Sequence, residues 1–282
     1  MLREFIRRLW KSALVFLAML LAAASVWWYL RQDDISPLLP YGTAFLFWLV
    51  FEIALYCTAA HSAKKSQPIL DIYREKGICG EMLQKHAEIF PDPDTGELLS
   101  RIDMLLSIGR YAEAETLLDP IYPADVPAKW QLLYYNARML LYAETDRNQY
   151  AYELFSVNRR MLCEYARCTV GSGAAGAFYA TVSLVLAQQG DAEGSAQFCD
   201  LCAQAYGSGS NAMGMDLFLP RIACADRLYA LGQTSEADAY AAKLRAEMTE
   251  STAFDREWKR QHLLRMLERA AERNSRTQRS DA

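Results

Sequence analysis

The sequence predicts an all-α protein, an N-terminal two-helix transmembrane hairpin followed by an α-solenoid of about four helix pairs. Three observations predict it. Two dense apolar runs occupy the first 60 or so residues. Beyond Lys65 apolar residues recur at spacings of three and four, with little alternation at two. Finally, turns centred on Gly109, Asp146, Gly190 and Gly232 carry one residue pattern on both sides.

The first run, from Ser12 to Leu30, has no charged residue. It nears the roughly 20 residues needed to cross a ~30 Å hydrocarbon core. Trp27-Trp28-Tyr29 closes it as interfacial aromatics would. The second, from Tyr41 to Ala60, carries one charge, Glu52. The polar turn Arg31-Gln32-Asp33-Asp34-Ile35-Ser36-Pro37 is short enough to make the pair an antiparallel hairpin over residues 1–65, with helices at about 12–30 and 41–60. Arg3, Arg7, Arg8 and Lys11 precede the first run, Lys64 and Lys65 follow the second, and the turn holds only Arg31. The positive-inside bias therefore places both termini in the cytoplasm of an integral membrane protein, with a bacterial plasma membrane as the expected location. Leu20-Leu21-Ala22-Ala23-Ala24 leaves a cleaved signal peptide open. Lys64 and Lys65 hold the C-terminal region inside under either reading.

Glu52 lies nine residues before His61, roughly 13 Å along a helix. An intramembrane carboxylate costs about 2.5–3.5 kcal/mol on insertion scales and marks a candidate contact. The structural alternative is a protonated side chain bonded to Ser25, to a backbone carbonyl or to another copy of the chain.

Residues 66–94 are expected to be connecting helices, 95–250 the paired helices, 251–273 a capping helix and 274–282 a disordered tail. Asp94 with Glu97, Asp125 before Pro127, and Asp216 before Leu217 are helix-start signals. Pro91-Asp92-Pro93-Asp94, Pro120-Ile121-Tyr122-Pro123 and Gly207-Ser208-Gly209-Ser210 are loops. Five residues after each central turn stands a small residue, Ala114, Ala151, Ser195 or Ala237. Eight after stands Leu117, Leu154, Phe198 or Tyr240, and four before stands Leu105, Tyr142, Leu186 or Leu228. Gly or Asp lets the chain reverse, the small residue lets two backbones approach, and the bulky ones interlock. The turns are 37, 44 and 42 residues apart, as in helical-repeat arrays.

Gly109-Arg110-Tyr111-Ala112-Glu113-Ala114-Glu115-Thr116-Leu117-Leu118-Asp119-Pro120 resembles the second half of a tetratricopeptide repeat. Gly190 through Phe198 and Cys202, and Gly232 through Ala237, Tyr240 and Leu244, resemble it more weakly. The resemblance covers about half the chain. It departs from the family in its longer spacing and in Asp146 where the family has Gly, so it implies a degenerate tetratricopeptide-like stack. An amphipathic helical bundle with coincidental turns is the alternative. The family resemblance implies a protein- or peptide-binding groove, and by position Tyr111, Arg138, Tyr142 and Tyr179 would face it; none is assigned as a site.

Seven cysteines do not make a disulfide framework in a chain of 282 residues, and most sit in helical patterns as small hydrophobes of a reducing compartment. Cys199 and Cys202, with Cys163 and Cys168, have the outline of a zinc site, but Cys202 falls where the repeat packs a small residue. His61, His86 and His262 are scattered, and Gly171-Ser172-Gly173 lacks the context of a phosphate loop. Tyr134, Tyr135 and Trp130 read as packing residues, and the net charge of -4 does not point to nucleic acid. In the final helix bases outnumber acids, which fits a solvated face or contact with anionic lipid. No catalytic, cofactor-binding or metal residue is expected, and the chain reads as a non-enzymatic, membrane-tethered adaptor for an unknown protein or peptide partner. The alternative is an accessory subunit of a membrane transport or secretion complex acting through the hairpin and Glu52.

Overall fold

The structure is a computed structural model of the chain and describes residues 2–30, 38–169, 173–207 and 215–280. Side chains of residues 2–15, 38, 58–59, 61–63 and 277–280 fall outside that description. The turn 31–37, Gly171, Ser172, Ser208, Gly209, Ser210 and the His61 side chain therefore lie outside it, as do the side chains of the basic cluster before the first apolar run. The fold is all-α: among the described residues there are twelve α-helices, one short 3-10 helix at Pro123–Asp125 and no strand. The chain divides into two compact units, Met1–Pro68 and Ile69–Ala282.

The first unit holds α1 (Leu2–Leu30) and the greater part of α2 (Leu38–Lys76). Leu39–Cys57 of α2 is long and apolar enough to cross a membrane, while Phe16–Leu30 of α1 is a shorter apolar stretch. Leu46, Phe47, Val50 and Tyr56 of α2 are exposed, and among the described side chains of this unit the buried positions are Ala24, Pro40 and Ala44. The α1 and α2 side chains meet at Phe16 and Phe51, ring centroids 4.7 Å apart, and at Ser25 Oγ and Tyr41 Oη, 3.0 Å apart.

In the second unit α3 (Gly80–Ile89) leads to α4 (Thr95–Ser107). Asp94 caps α4 reciprocally: Glu97 N donates to Asp94 Oδ1 at 2.8 Å, and Asp94 N donates to Glu97 Oε2 at 2.9 Å. There follow α5 (Tyr111–Leu118), α6 (Ala128–Glu144), α7 (Asn148–Cys168), α8 (Gly173–Gln188), α9 (Ala192–Gly207), α10 (Met215–Ala230), α11 (Thr234–Glu250) and α12 (Glu257–Ser280). Two of the expected starts are displaced slightly. Asp125 ends the short 3-10 helix, with α6 beginning at Ala128, and Asp216 lies in the first turn of α10 rather than before it.

The turns of the sequence pattern join α4 to α5, α6 to α7, α8 to α9 and α10 to α11. Their central residues are all left-handed, with φ of 78° at Gly109, 58° at Asp146, 79° at Gly190 and 73° at Gly232. In each, the amide of the next residue reaches back to the carbonyl five earlier, as in Arg110 N to Leu105 O (2.9 Å), Arg147 N to Tyr142 O (2.9 Å), Asp191 N to Leu186 O and Gln233 N to Leu228 O (both 3.0 Å). This bond satisfies a carbonyl that the end of a helix leaves free. Ala114, Ala151, Ser195 and Ala237, one turn into the second helix of each pair, are 0% exposed. A larger side chain there would push the two backbones apart.

Two apolar cores result. One joins α3 through α9 and reaches Ala223 of α10, with Tyr134, Phe155 and Phe178 enclosed. The other joins α10, α11 and α12 through Phe218, Leu244, Leu263 and Leu267. Helix α8 packs against α6, α7, α9 and α10, with most of its residues buried. The last helix continues to Ser280, past residue 273 and through most of the segment expected to be a disordered tail. Helical bonds hold it there, together with Asn274 Nδ2 donating to Thr234 Oγ1 at 3.3 Å. Likewise α2 runs to Lys76 without a break between the second apolar run and the expected connecting helices.

Candidate interaction surfaces

Glu52, the residue singled out in the sequence, sits half-buried within the apolar stretch of α2. Its Oε1 is enclosed and has no hydrogen-bond partner. Ser25 does not supply one, because Ser25 Oγ is engaged by the Leu21 carbonyl at 2.8 Å and by Tyr41 Oη at 3.0 Å. An enclosed carboxyl oxygen without a donor is costly in any medium of low polarity.

In the second unit α12 lies along α10 and across the C-terminal ends of α4 and α6. Arg273 is 4% exposed. It donates through Nη1 to Glu144 Oε1 of α6 at 2.6 Å and through Nη2 to Asp226 of α10. Burial pushes the Asp226 carboxyl up, and Arg273 beside it opposes that shift. Arg269 Nη1 donates to the Leu106 carbonyl at the end of α4 at 3.3 Å, where the helix dipole favours a cation. At the other end of α12, Trp258 Nε1 donates to the Arg74 carbonyl at 3.1 Å, and its ring covers Gly77, whose φ is 73°. Any β-carbon at Gly77 would overlap that ring. His262 faces Ser107 and Ile108 at the C-terminal end of α4 together with Arg265, Glu268, Arg269 and Glu272 of its own helix. Burial, then Arg269 and Arg265, bring its pKa down to about 4.

Three of the four residues that position assigned to a groove face are committed to intramolecular contacts. Arg138 donates to Tyr134 Oη at 3.0 Å, Tyr142 Oη at 3.2 Å and the Leu118 carbonyl at 2.9 Å. Tyr111 is half-buried beside Glu144 and Arg269. Tyr179 is buried instead between α7 and α9, its ring 6.1 Å from that of Phe198. Trp130, Tyr134 and Tyr135 belong to the first core, as packing residues would.

Between α7 and α9 there is an open groove of about 650 Å³. Its floor is Tyr179 and Phe198, and its walls include Arg159, Arg160, Arg167 and Cys163 from α7 and Leu201 from α9. All three arginines are exposed. Among the described residues no carboxylate lines this groove.

One pair of cysteines departs from the expectation that they pack as small hydrophobes of a reducing compartment. Cys199 of α9 is bonded to Cys224 of α10, with Cα atoms 6.2 Å apart. Helix packing brings the two together across 25 residues, a separation that carries no local signal. Cys202 is 0% exposed in the first core, and burial pushes its thiol up to about 12. Among the described residues no three of His, Cys, Asp and Glu are placed to hold a metal ion. His86 is buried beside Arg101, whose Nε donates to His86 Nδ1 at 3.3 Å. Comparison of the chain with protein-family models, curated proteins and solved structures finds no match.

Proposed function

We propose that the protein is a non-enzymatic, membrane-tethered interaction module, in which a transmembrane hairpin with both termini in the cytoplasm carries a tetratricopeptide-like stack of four helix pairs. The observation that carries this reading is the recurrence of one left-handed turn with a fully enclosed small residue five positions later. Stacks of such pairs present extended surfaces to other proteins, and tethering raises their local concentration. The hairpin is supported by the two α1–α2 contacts, Phe16 with Phe51 and Ser25 with Tyr41, whose order runs oppositely along the two helices. Its orientation rests on Lys64 and Lys65 and on the basic residues before α1.

Crosslinking in native membranes, with and without residues 1–65, tests the adaptor reading. A partner still captured by the truncated protein supports it. A partner lost while the second unit stays folded assigns recognition to the hairpin. The unsatisfied Glu52 Oε1 favours that second reading, an accessory subunit of a membrane transport or secretion complex. In it Glu52→Leu abolishes assembly and Glu52→Gln, which keeps a polar group, retains part of it.

The cytoplasmic placement has its own test. In a reducing compartment the Cys199–Cys224 pair is held as thiols. Acid quenching of cells followed by alkylation of the denatured chain should then label all seven cysteines. A preserved bond in cells would place the second unit on the oxidising side and overturn the orientation.

A further inference from the structure

We infer that the groove between α7 and α9 is a docking site for an acidic segment of a partner protein that inserts apolar side chains between flanking carboxylates. The inference rests on the adaptor reading and names the chemistry of its partner. The groove has an apolar floor, Tyr179 and Phe198, and an apolar lip formed by Val157, 84% exposed, and Leu201. Its rim is cationic. Arg159, Arg160 and Arg167 have no ion pair among the described residues, whereas Arg110, Arg138, Arg147, Arg221, Arg260 and Arg273 each hold a carboxylate. Arg159 rests over the Phe155 ring, 5.8 Å from its centroid. The nearest carboxylates in sequence, Glu153 and Glu164, do not line the groove, and Glu153 accepts from Gln149 at 2.9 Å.

The spacing of the charges selects the occupant. Arg159 and Arg167 are eight residues apart on one face of α7, about 12 Å along the axis. A single phosphate cannot span that row, and a flat lipid surface does not reach a floor recessed between two helices. A peptide with carboxylates spaced along its length meets the row and places its apolar residues on Phe198 and Tyr179. Exposed guanidiniums without counter-charges also steer an anionic partner into register.

The test uses the full chain in phosphatidylcholine nanodiscs and a short fluorescein-labelled amphipathic peptide of Glu and Leu. Fluorescence anisotropy should show saturable binding that weakens with salt, with no binding of the matching Lys and Leu peptide. The double variant Arg160→Glu/Arg167→Glu leaves the Arg159–Phe155 stack intact and should weaken binding at least about tenfold. Arg160→Gln/Arg167→Gln carries the same test should the charge reversal lose its helical circular dichroism. Bound peptide should also slow alkylation of Cys163, which lies in the groove. Equal binding by the double variants, equal binding of the Lys peptide, or an unchanged Cys163 rate overturns the proposal. So does displacement of the peptide by phosphatidylserine vesicles that lose their hold on the variants, which would give the groove to a lipid. Failure of the adaptor reading is read separately, from crosslinking in membranes, and does not depend on this titration.

Discussion

Two helical stretches of this protein are apolar on nearly every face, Glu52 of α2 excepted, and they meet opposite fates. Leu39–Cys57 of α2 turns outward with large side chains, Phe45 at 53% and Phe47 at 73% exposure, and it buries Ala44. Helix α8, Gly173–Gln188, encloses Phe178, Val182 and Val185 at 0% exposure among four neighbouring helices. Hydropathy alone scarcely separates them. What separates them is the size of the residues and the company they keep. Gly176 and the alanines of α8 let four helices approach, and Gly176 leaves the space that the Tyr206 ring fills. Among the described side chains Phe51 of α2 meets Phe16 at 4.7 Å, whereas Phe45, Leu46, Phe47 and Val50 stay more than half exposed, and the stretch has the length and composition to cross a membrane.

The largest effects should come from the enclosed side of this comparison. Phe178→Ala should lower the unfolding free energy of the second unit by about 3–5 kcal/mol in chemical denaturation, from lost burial plus a cavity. Phe47→Ala should leave that transition within about 0.5 kcal/mol, and a shared loss would end the distinction between the two helices. Arg273→Met is of similar size, about 3–5 kcal/mol, because it strands Asp226 and Glu144 without their cation. Removing Asp226 as well, in Arg273→Met/Asp226→Leu, should recover part of the loss.

Next comes charge on the outward side. Phe47→Arg should oppose membrane insertion by about 2.5–3.5 kcal/mol on insertion scales, read as the fraction of chain resistant to carbonate extraction. Tyr122→Arg, at a residue of the second unit that is just as exposed (74%), should change nothing measurable. Matched exposure with unmatched outcomes is the result expected if α2 faces lipid; matched outcomes would remove the membrane reading.

A smaller effect concerns pH. The pKa of His262 is depressed from its usual 6.5 to about 4, so between these values the unfolded chain binds the extra proton and the folded chain does not. Stability therefore falls as pH drops from 6.5 toward 4. At pH 5 the loss from this residue is about 1–2 kcal/mol. His262→Gln should remove that part of the difference between melts at pH 7.5 and pH 5. The groups facing it, Arg265, Glu268, Arg269 and Glu272, stay in place in the variant.

The smallest effect sharpens the turns. Asp146 holds φ at 58° where the other three turns use Gly, so Asp146→Gly should stabilise by up to about 1 kcal/mol and Gly190→Ala should destabilise by about 1 kcal/mol. Thermal melting distinguishes the two signs. The same sign for both would mean the turns are not equivalent.

Much of this architecture is legible in the residues. Gly109, Gly190 and Gly232 are visible as reversals because a left-handed residue needs Gly or a short polar side chain, and Asp146 satisfies the same rule. The Asp94–Glu97 cap is a four-residue pattern with both bonds local. The enclosed positions of Ala114, Ala151, Ser195 and Ala237 follow from where one helical turn places them. The candidate surfaces were legible only in part. Glu52 stands out because a charge in an apolar run is visible by itself, but its lack of a Ser25 bond depends on Tyr41 taking that hydroxyl. The arginines of α7 carry no recognisable motif, since the groove exists only because α9 lies beside them.

By itself, then, the sequence determined the all-α class, the apolar stretch Leu39–Cys57 and the chain reversals that pair the helices, because each depends on residues within a turn or two of one another. Tertiary structure decided which apolar helix is enclosed, that α12 stays helical to Ser280, that Arg273 joins three helices, and that Cys199 meets Cys224. Those outcomes depend on side chains tens to more than a hundred residues apart, where packing geometry rather than local preference sets which groups become neighbours.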